Sequence, residues 1–251
     1  MEQEKNMEQE KNMEQKKDME KEKLMKQEKA MKRKKVSKEK KIMSFPHMGN
    51  YHVAIEFLIR HVLENYQVLT PPPTTKKTLE LGTKYSPEFV CVPFKYNLGN
   101  YLEALEQGAN VLVQSGGGCR FGYYGEIQEQ ILRDLGYEFD FISLIDNKKV
   151  NPPAFYNRFK RLNPKLSFPR FAYYFYLTFK IIEAMDSLDQ YLRANIGFEV
   201  QEGTFERLHK EFLAEVPNIE GFRDLDKLFK KYTELFRQVE VKKPKNPLRV
   251  G

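Results

Sequence analysis

In Asn110-Val111-Leu112-Val113-Gln114-Ser115-Gly116-Gly117-Gly118-Cys119, an apolar run of strand length stops in three glycines. A helical pattern resumes at Tyr124 and runs to Leu135, and Tyr137 to Ile145 reads as the next strand. Upstream, Ile42-Met43-Ser44-Phe45 is a short strand candidate, stopped by Pro46 and Gly49. Val53, Ile55, Phe57, Leu58, Val62 and Leu63 suit a buried helix over Tyr51 to Glu64. Gln67-Val68-Leu69 is a second short strand, followed by Pro71-Pro72-Pro73, and helices are expected over Lys76 to Thr83 and Leu98 to Gln107. Strands alternating with helices through short Gly- or Pro-containing loops predict a parallel, Rossmann-like α/β sheet domain over residues 43–148.

Residues 149–241 carry a different pattern. After the proline-punctuated stretches Asn151-Pro152-Pro153 and Pro164 to Pro169, Phe171, Phe175, Phe179, Ile182, Met185, Leu188 and Leu192 step by three or four. That is a helical stripe. Lys180 interrupts the aromatic run, whose apolar length falls short of the roughly 20 residues that span a bilayer. It therefore reads as packing core. Two amphipathic helices are expected near Thr204 to Glu215 and Phe222 to Val239, with Thr204 as N-cap of the first. Residues 242–251 read as a linker and the start of a further domain that the chain does not contain.

The chain carries 42 Lys or Arg against 35 Asp or Glu, a formal net charge of +7. Residues 1–42 hold 15 against 10 of these, which leaves the rest near balance at 27 against 25. The basic excess thus belongs to a tail and not to a folded surface, which argues against a nucleic-acid-binding domain. The tail is a charged hexapeptide repeat with Met at 1, 7, 13, 19, 25 and 31. Six residues advance each Met by about 240° around a helix, so no apolar stripe forms. A coiled-coil seam needs a period near 3.5, and a solvated helix or a disordered arm is expected. Two Cys are too few for a disulfide scaffold. The polar N-terminus lacks the apolar core of a secretory signal, so a soluble, cytoplasmic protein without membrane association is expected.

Both cysteines fall where loops lead into helices. Cys91 lies in Ser86-Pro87-Glu88-Phe89-Val90-Cys91-Val92-Pro93-Phe94-Lys95, and Cys119 lies in Gly118-Cys119-Arg120-Phe121-Gly122. Free backbone N–H groups at helix starts favour anions, including thiolates and anionic clusters, and Lys95 and Arg120 reinforce that field. In an open α/β sheet, ligands bind in the crevice beyond the carboxyl ends of the strands. The loops carrying His47, Pro72, Cys91 and Cys119 are expected to converge there. Cys91 and Cys119 are therefore the candidate metal ligands, and Gly116, Gly117, Gly118 and Arg120 the candidate cofactor contacts. Against this, free Cys often merely packs, and two Cys 28 positions apart form no CxxC motif. The glycines fit neither GxGxxG nor GxxxxGK[ST]. They suit close backbone approach to a bulky group beside Cys119, or a plain turn. His47 and His52 bracket the first loop, and no Ser-His-Asp or HExxH pattern supports a hydrolase.

The segments Phe45-Pro46-His47-Met48-Gly49-Asn50, Pro71-Pro72-Pro73-Thr74, Ser86 to Lys95 and Cys119-Arg120-Phe121-Gly122-Tyr123-Tyr124-Gly125 resemble the 2-hydroxyacyl-CoA dehydratase-related iron–sulfur proteins. They are most similar to the branch described as dehydratase activator or predicted nucleotide-binding protein, whose substrate is generally unassigned. The likeness runs from about Met43 to Val239. It implies that Cys91 and Cys119 hold a 4Fe–4S or related cluster between two α/β domains. It also implies a partner activase that uses ATP to deliver a low-potential electron, and an acyl-CoA substrate from which the dehydratases proper eliminate water. Such a cluster takes three or four Cys ligands, whereas this chain has two. The family's further Cys lies in the second α/β domain, which would follow Gly251. The expectation is thus an incomplete lyase component whose cluster is labile or bridges a homodimer, two chains supplying four thiolates. The alternative is a non-catalytic fragment or binding module with free thiols.

Overall fold

The computed structural model describes residues 41–114, 123–144 and 152–245. Four strands, β1 (Ile42–Ser44), β2 (Gln67–Val68), β3 (Val111–Gln114) and β4 (Asp140–Ser143), form one sheet in the order β2-β1-β3-β4. All three pairings are parallel, as the strand–helix alternation predicts. Between the strands run α1 (His52–Val62), α2 (Lys76–Tyr85), α3 (Val92–Glu106) and α4 (Tyr124–Asp134). After β4 come α5 (Pro152–Leu162), α6 (Phe168–Asn195), α7 (Thr204–Glu215) and α8 (Phe222–Gln238). Among the described residues from 152 onward there is no strand, and the isolated antiparallel bridge Glu199–Val241 is the extended pairing found there.

The centre of the sheet follows from the apolar run at 111–114. All four residues of β3 are buried, so both faces of the strand need cover. Side chains alternate across a strand, and the two faces are covered by different helices. Val111 and Val113 point with Met43 toward α1, α5 and Phe171 of α6. Leu112 points the other way, into a cluster with Phe94, Leu98 and Tyr101 of α3 and Leu132 of α4. The chain moves from β1 to β2 in one direction and then back across β1 to β3 and β4. Right-handed crossovers put helices on opposite faces when that direction reverses. That is why α1 lies on one face while α3 and α4 lie on the other. Asn110 pins the register, because its Oδ1 accepts from Ile42 N–H at 2.8 Å while its own N–H donates to Ile42 O at 3.0 Å.

A third core joins the later helices. Leu177, Ile181, Met185 and Leu188 of α6 pack with Phe205 and Phe212 of α7 and Tyr232 and Phe236 of α8. Ala54 and Phe57 of α1 belong to this cluster too, while Ile59 and Val62 of the same helix face the sheet. The described residues from 41 onward accordingly form one compact unit. The repeat tail falls outside the described residues.

Several boundaries differ from the sequence reading for local reasons. The α3 helix begins at Val92, six residues before the expected start at Leu98, because Pro93 sits in its first turn, where a missing N–H costs nothing. The same exemption lets Pro152 and Pro153 open α5, where the sequence shows a proline-punctuated stretch. β4 is confined to Asp140–Ser143, and Tyr137 to Phe139 precede it as irregular chain. Thr204 is the first residue of α7 and not its N-cap, which is Gly203 in the left-handed region at φ 81°. The orphan N–H groups there are held by the Glu199 carboxylate, which accepts from Gly203 at 2.6 Å and from Phe205 at 3.0 Å.

Two glycines set the distance between α2 and α3. A Cβ on Gly82 would lie 1.7 Å from the Lys95 carbonyl oxygen, and one on Gly99 would lie 1.9 Å from that of Thr78. The obstacle is backbone in both cases, so no rotamer change relieves it. Thr78 adds a hydrogen bond from its hydroxyl to the buried Glu103 carboxylate at 2.7 Å. Replacing Gly82 or Gly99 by Ala is expected to cost about 3 kcal/mol, the upper part of the range for overpacking. Urea denaturation of each variant measures this, and a loss under about 1 kcal/mol would mean that the helices are not locked at backbone contact.

Candidate functional site

The reversal in strand order falls between β1 and β3, and in open α/β sheets ligands bind beyond the carboxyl ends of the strands at such a point. The chain leaves β1 through Phe45-Pro46 into a turn at 47–50. Gly49 adopts φ 56°, a conformation that strains a side chain. Its N–H donates to His47 Nδ1 at 3.2 Å, and its carbonyl accepts from His52 Nδ1 at 2.7 Å. Because His47 accepts at Nδ1, the neutral ring carries its proton on Nε2. The two imidazoles stack with centroids 5.7 Å apart. Burial, and then the neighbouring His52, hold the His47 pKa below its ordinary 6.5.

Asn100 ties this turn to the proline loop after β2. Its side chain is buried inside α3, its Oδ1 accepting from His47 N–H at 2.8 Å and its Nδ2 donating to Pro72 O at 2.6 Å. The loops carrying His47 and Pro72 are thus brought together by one amide. One residue on, the buried Tyr101 hydroxyl contacts Val113 O at 3.0 Å and Gln114 Oε1 at 2.9 Å, fixing the carboxyl end of β3. Burial holds the Tyr101 pKa well above its ordinary value, so the phenol stays a donor. The sequence reading named neither residue. The available signal was Asn100 lying among the apolar positions Leu98, Tyr101 and Leu102, a polar group on a face that must be buried.

Cys91 is the N-cap of α3, and its thiol is free and exposed. Its Sγ is in hydrogen-bond contact with the Tyr124 hydroxyl in the first turn of α4. The same two helix starts are held by the perpendicular Phe94 and Tyr124 rings, 5.1 Å apart, and by Gln128 Nε2 donating to Phe94 O at 3.2 Å. Cys91 and Asn100 are nine residues apart on α3, about 13 Å of helix. Close to Cys91 in sequence, Phe89 and Val92 are 95% and 53% exposed, and Tyr123, next to Tyr124, is 66% exposed, with Glu88 exposed among them. Cys119, Gly116, Gly117, Gly118 and Arg120 lie outside the described residues. Among the described residues, no group of three or more His, Cys, Asp and Glu side chains gathers to hold a metal. No described helix is long and apolar enough to cross a membrane.

Replacing Asn100 by Leu strands His47 N–H and Pro72 C=O, and unpaired buried groups cost about 1–3 kcal/mol each. A loss of about 3 kcal/mol in chemical denaturation is expected, and a neutral substitution would show that the amide does not join the loops. His47 predicts an acid limb. Its folded pKa lies below the unfolded value, so stability is complete above about pH 6.5 and falls as pH drops through it, when the unfolded chain takes the proton first. Unfolding free energies measured from pH 7.5 to 5 should decline less steeply for His47→Asn than for the parent, and parallel curves would overturn this. Comparison with protein-family models, curated proteins and solved structures returns no match for the chain.

Proposed function

We propose that this chain is the iron–sulfur component of a reductively activated, 2-hydroxyacyl-CoA dehydratase-like system, built on a Rossmann-like sheet and assembled as a dimer around its cysteines. The observation that carries this reading is the exposed Cys91 thiol at the start of α3, touching the first turn of α4, with the exposed Phe89 and Val92 beside it in sequence and the exposed Tyr123 beside Tyr124. Four residues lie between Cys119 and Tyr124 in the sequence, and the proposal takes both thiols as ligands.

The donor set bears directly on stoichiometry. An iron–sulfur cluster is usually held by four Cys thiolates, and the described residues supply one, Cys91. With Cys119 a single chain offers two. A cluster held by this chain alone would be labile, whereas two chains meeting on their apolar Cys91 surfaces supply four thiolates and cover surface that water disfavours. When bound, the group would supply one-electron chemistry. The chain's own residues would provide the thiolates, the two helix starts behind them and the exclusion of water by Phe89 and Tyr123. The redox partner would be an ATP-dependent activase and the substrate an acyl-CoA.

A second reading, a binding module with free thiols, is favoured by the hydrogen-bond contact between Cys91 and Tyr124, which satisfies the thiol without any metal. Anaerobic purification with iron and sulfide analysis, alongside the molar mass in solution, separates the two. The first reading expects a brown dimer with about four irons per two chains, bleached by Cys91→Ser or Cys119→Ala. Colourless protein after anaerobic reconstitution supports the second. A stable cluster of about four irons on a monomer would contradict the count of thiolates.

A further inference from the structure

On the α1 side of the sheet, the core between α1, α5 and the β1–β3 pair does not close. A cavity of about 370 Å³ remains. Its body is made by Met43, Ile55, Leu58, Ile59, Phe155 and Phe159. Its polar lining lies at the end where β1 and β3 finish, in His47, Asn97 and Gln114. Among the described residues, none that lines it is Asp, Glu, Lys or Arg. The volume sits near the lower end of the range for small-molecule sites, roughly 300–1,000 Å³. A dry cavity of about 150 Å³ lined by Leu, Ile and Phe already takes up benzene, so this space accommodates a ring with a short substituent.

The polar end has donors and acceptors to spare. His47 Nδ1 is occupied by the Gly49 N–H, which leaves Nε2–H as a donor. Asn97 lines the space, and its side chain has no hydrogen bond to other described residues. Gln114 Oε1 is held by Tyr101, so that carbonyl is already committed. Among the described lining residues a charged head would find no counter-ion, and burial without one is strongly disfavoured. A hydroxyl or amide head would be matched, accepting from His47 Nε2–H and donating to Asn97 Oδ1.

We infer that this cavity is a binding site for an uncharged, compact apolar molecule, an aromatic or branched aliphatic body of about eight to twelve heavy atoms carrying one hydroxyl or amide. The site is separate from the Cys91 surface and does not depend on a cluster. Lowered basicity of His47 agrees with it, since the ring stays neutral at pH 7.

The test uses the full chain with 13C-labelled Ile, Leu, Val and Met methyl groups, titrated with benzyl alcohol, sodium benzoate and glycerol. Saturable shifts are expected at the methyl groups of Met43, Ile55, Leu58 and Ile59 with benzyl alcohol, none with glycerol, and binding at least about tenfold weaker with benzoate. Leu58→Phe fills the space from the α1 side and should weaken benzyl alcohol at least about tenfold. Ile55→Phe serves the same purpose should Leu58→Phe fail to fold. Absence of saturable shifts in the parent, benzoate binding as tightly as the alcohol, or unchanged affinity in a folded cavity-filling variant would each overturn the inference. Iron content is not altered by any of these outcomes, so failure here is distinct from failure of the cluster reading.

Discussion

The arrangement depends on one constraint, a four-residue strand with no face to spare for water. Once Val111 to Gln114 is buried on both sides, every connection to its neighbours must pass over a face as a helix, because parallel strands cannot be joined by tight turns. Covering one face recruits α1 and α5, and covering the other recruits α3 and α4. The strands themselves are two to four residues long, so their own ladders hold little. Helix packing against both faces supplies what those ladders cannot. Much of the surface electrostatics is accessory by comparison. Pairs such as Lys76–Glu80 and Lys210–Glu206 are well exposed and join residues four apart on one helix, a setting in which ion pairs add little to stability.

With cover fixed, the carboxyl edge becomes the place where polar groups must be reconciled with burial. Asn100 does this with a single amide that serves two loops, and Tyr101 does it for the end of β3. Neither bond is local in sequence. A mid-helix Asn at such a position trades helix propensity for a connection that apolar residues cannot make.

Sequence patterning reached the elements whose signal is local. The apolar run at 111–114, the stripe of α1 and the amphipathic α7 and α8 appear within a residue or two of their expected bounds, and parallel pairing follows from their alternation with helices. It falls short at the start of α3, expected at Leu98 and found at Val92, and at Pro152-Pro153, where punctuation is expected and a helix begins, since the first turn of a helix tolerates proline. It also failed at Gly203, where a left-handed residue and a carboxylate from Glu199 replace the hydroxyl cap expected of Thr204. Of the site, Cys91 at a helix start was legible. Its contact with Tyr124, 33 positions away, and the Asn100 bridge were not, because side-chain pairing across crossovers leaves no periodic trace. The apolar cavity was equally hidden, since its lining is the same set of residues that a filled core would use.

The double duty of α1 bears on how the chain reaches its fold during synthesis. Ala54 and Phe57 emerge early, yet their partners Leu177, Phe205 and Phe236 lie more than a hundred residues downstream. Until α6 to α8 have left the ribosome, a nascent sheet domain carries an uncovered apolar stripe, and pairings this distant in sequence form slowly. Chaperone capture of the nascent chain and a single cooperative melting event for residues 41–245 are the natural counterparts of that geometry.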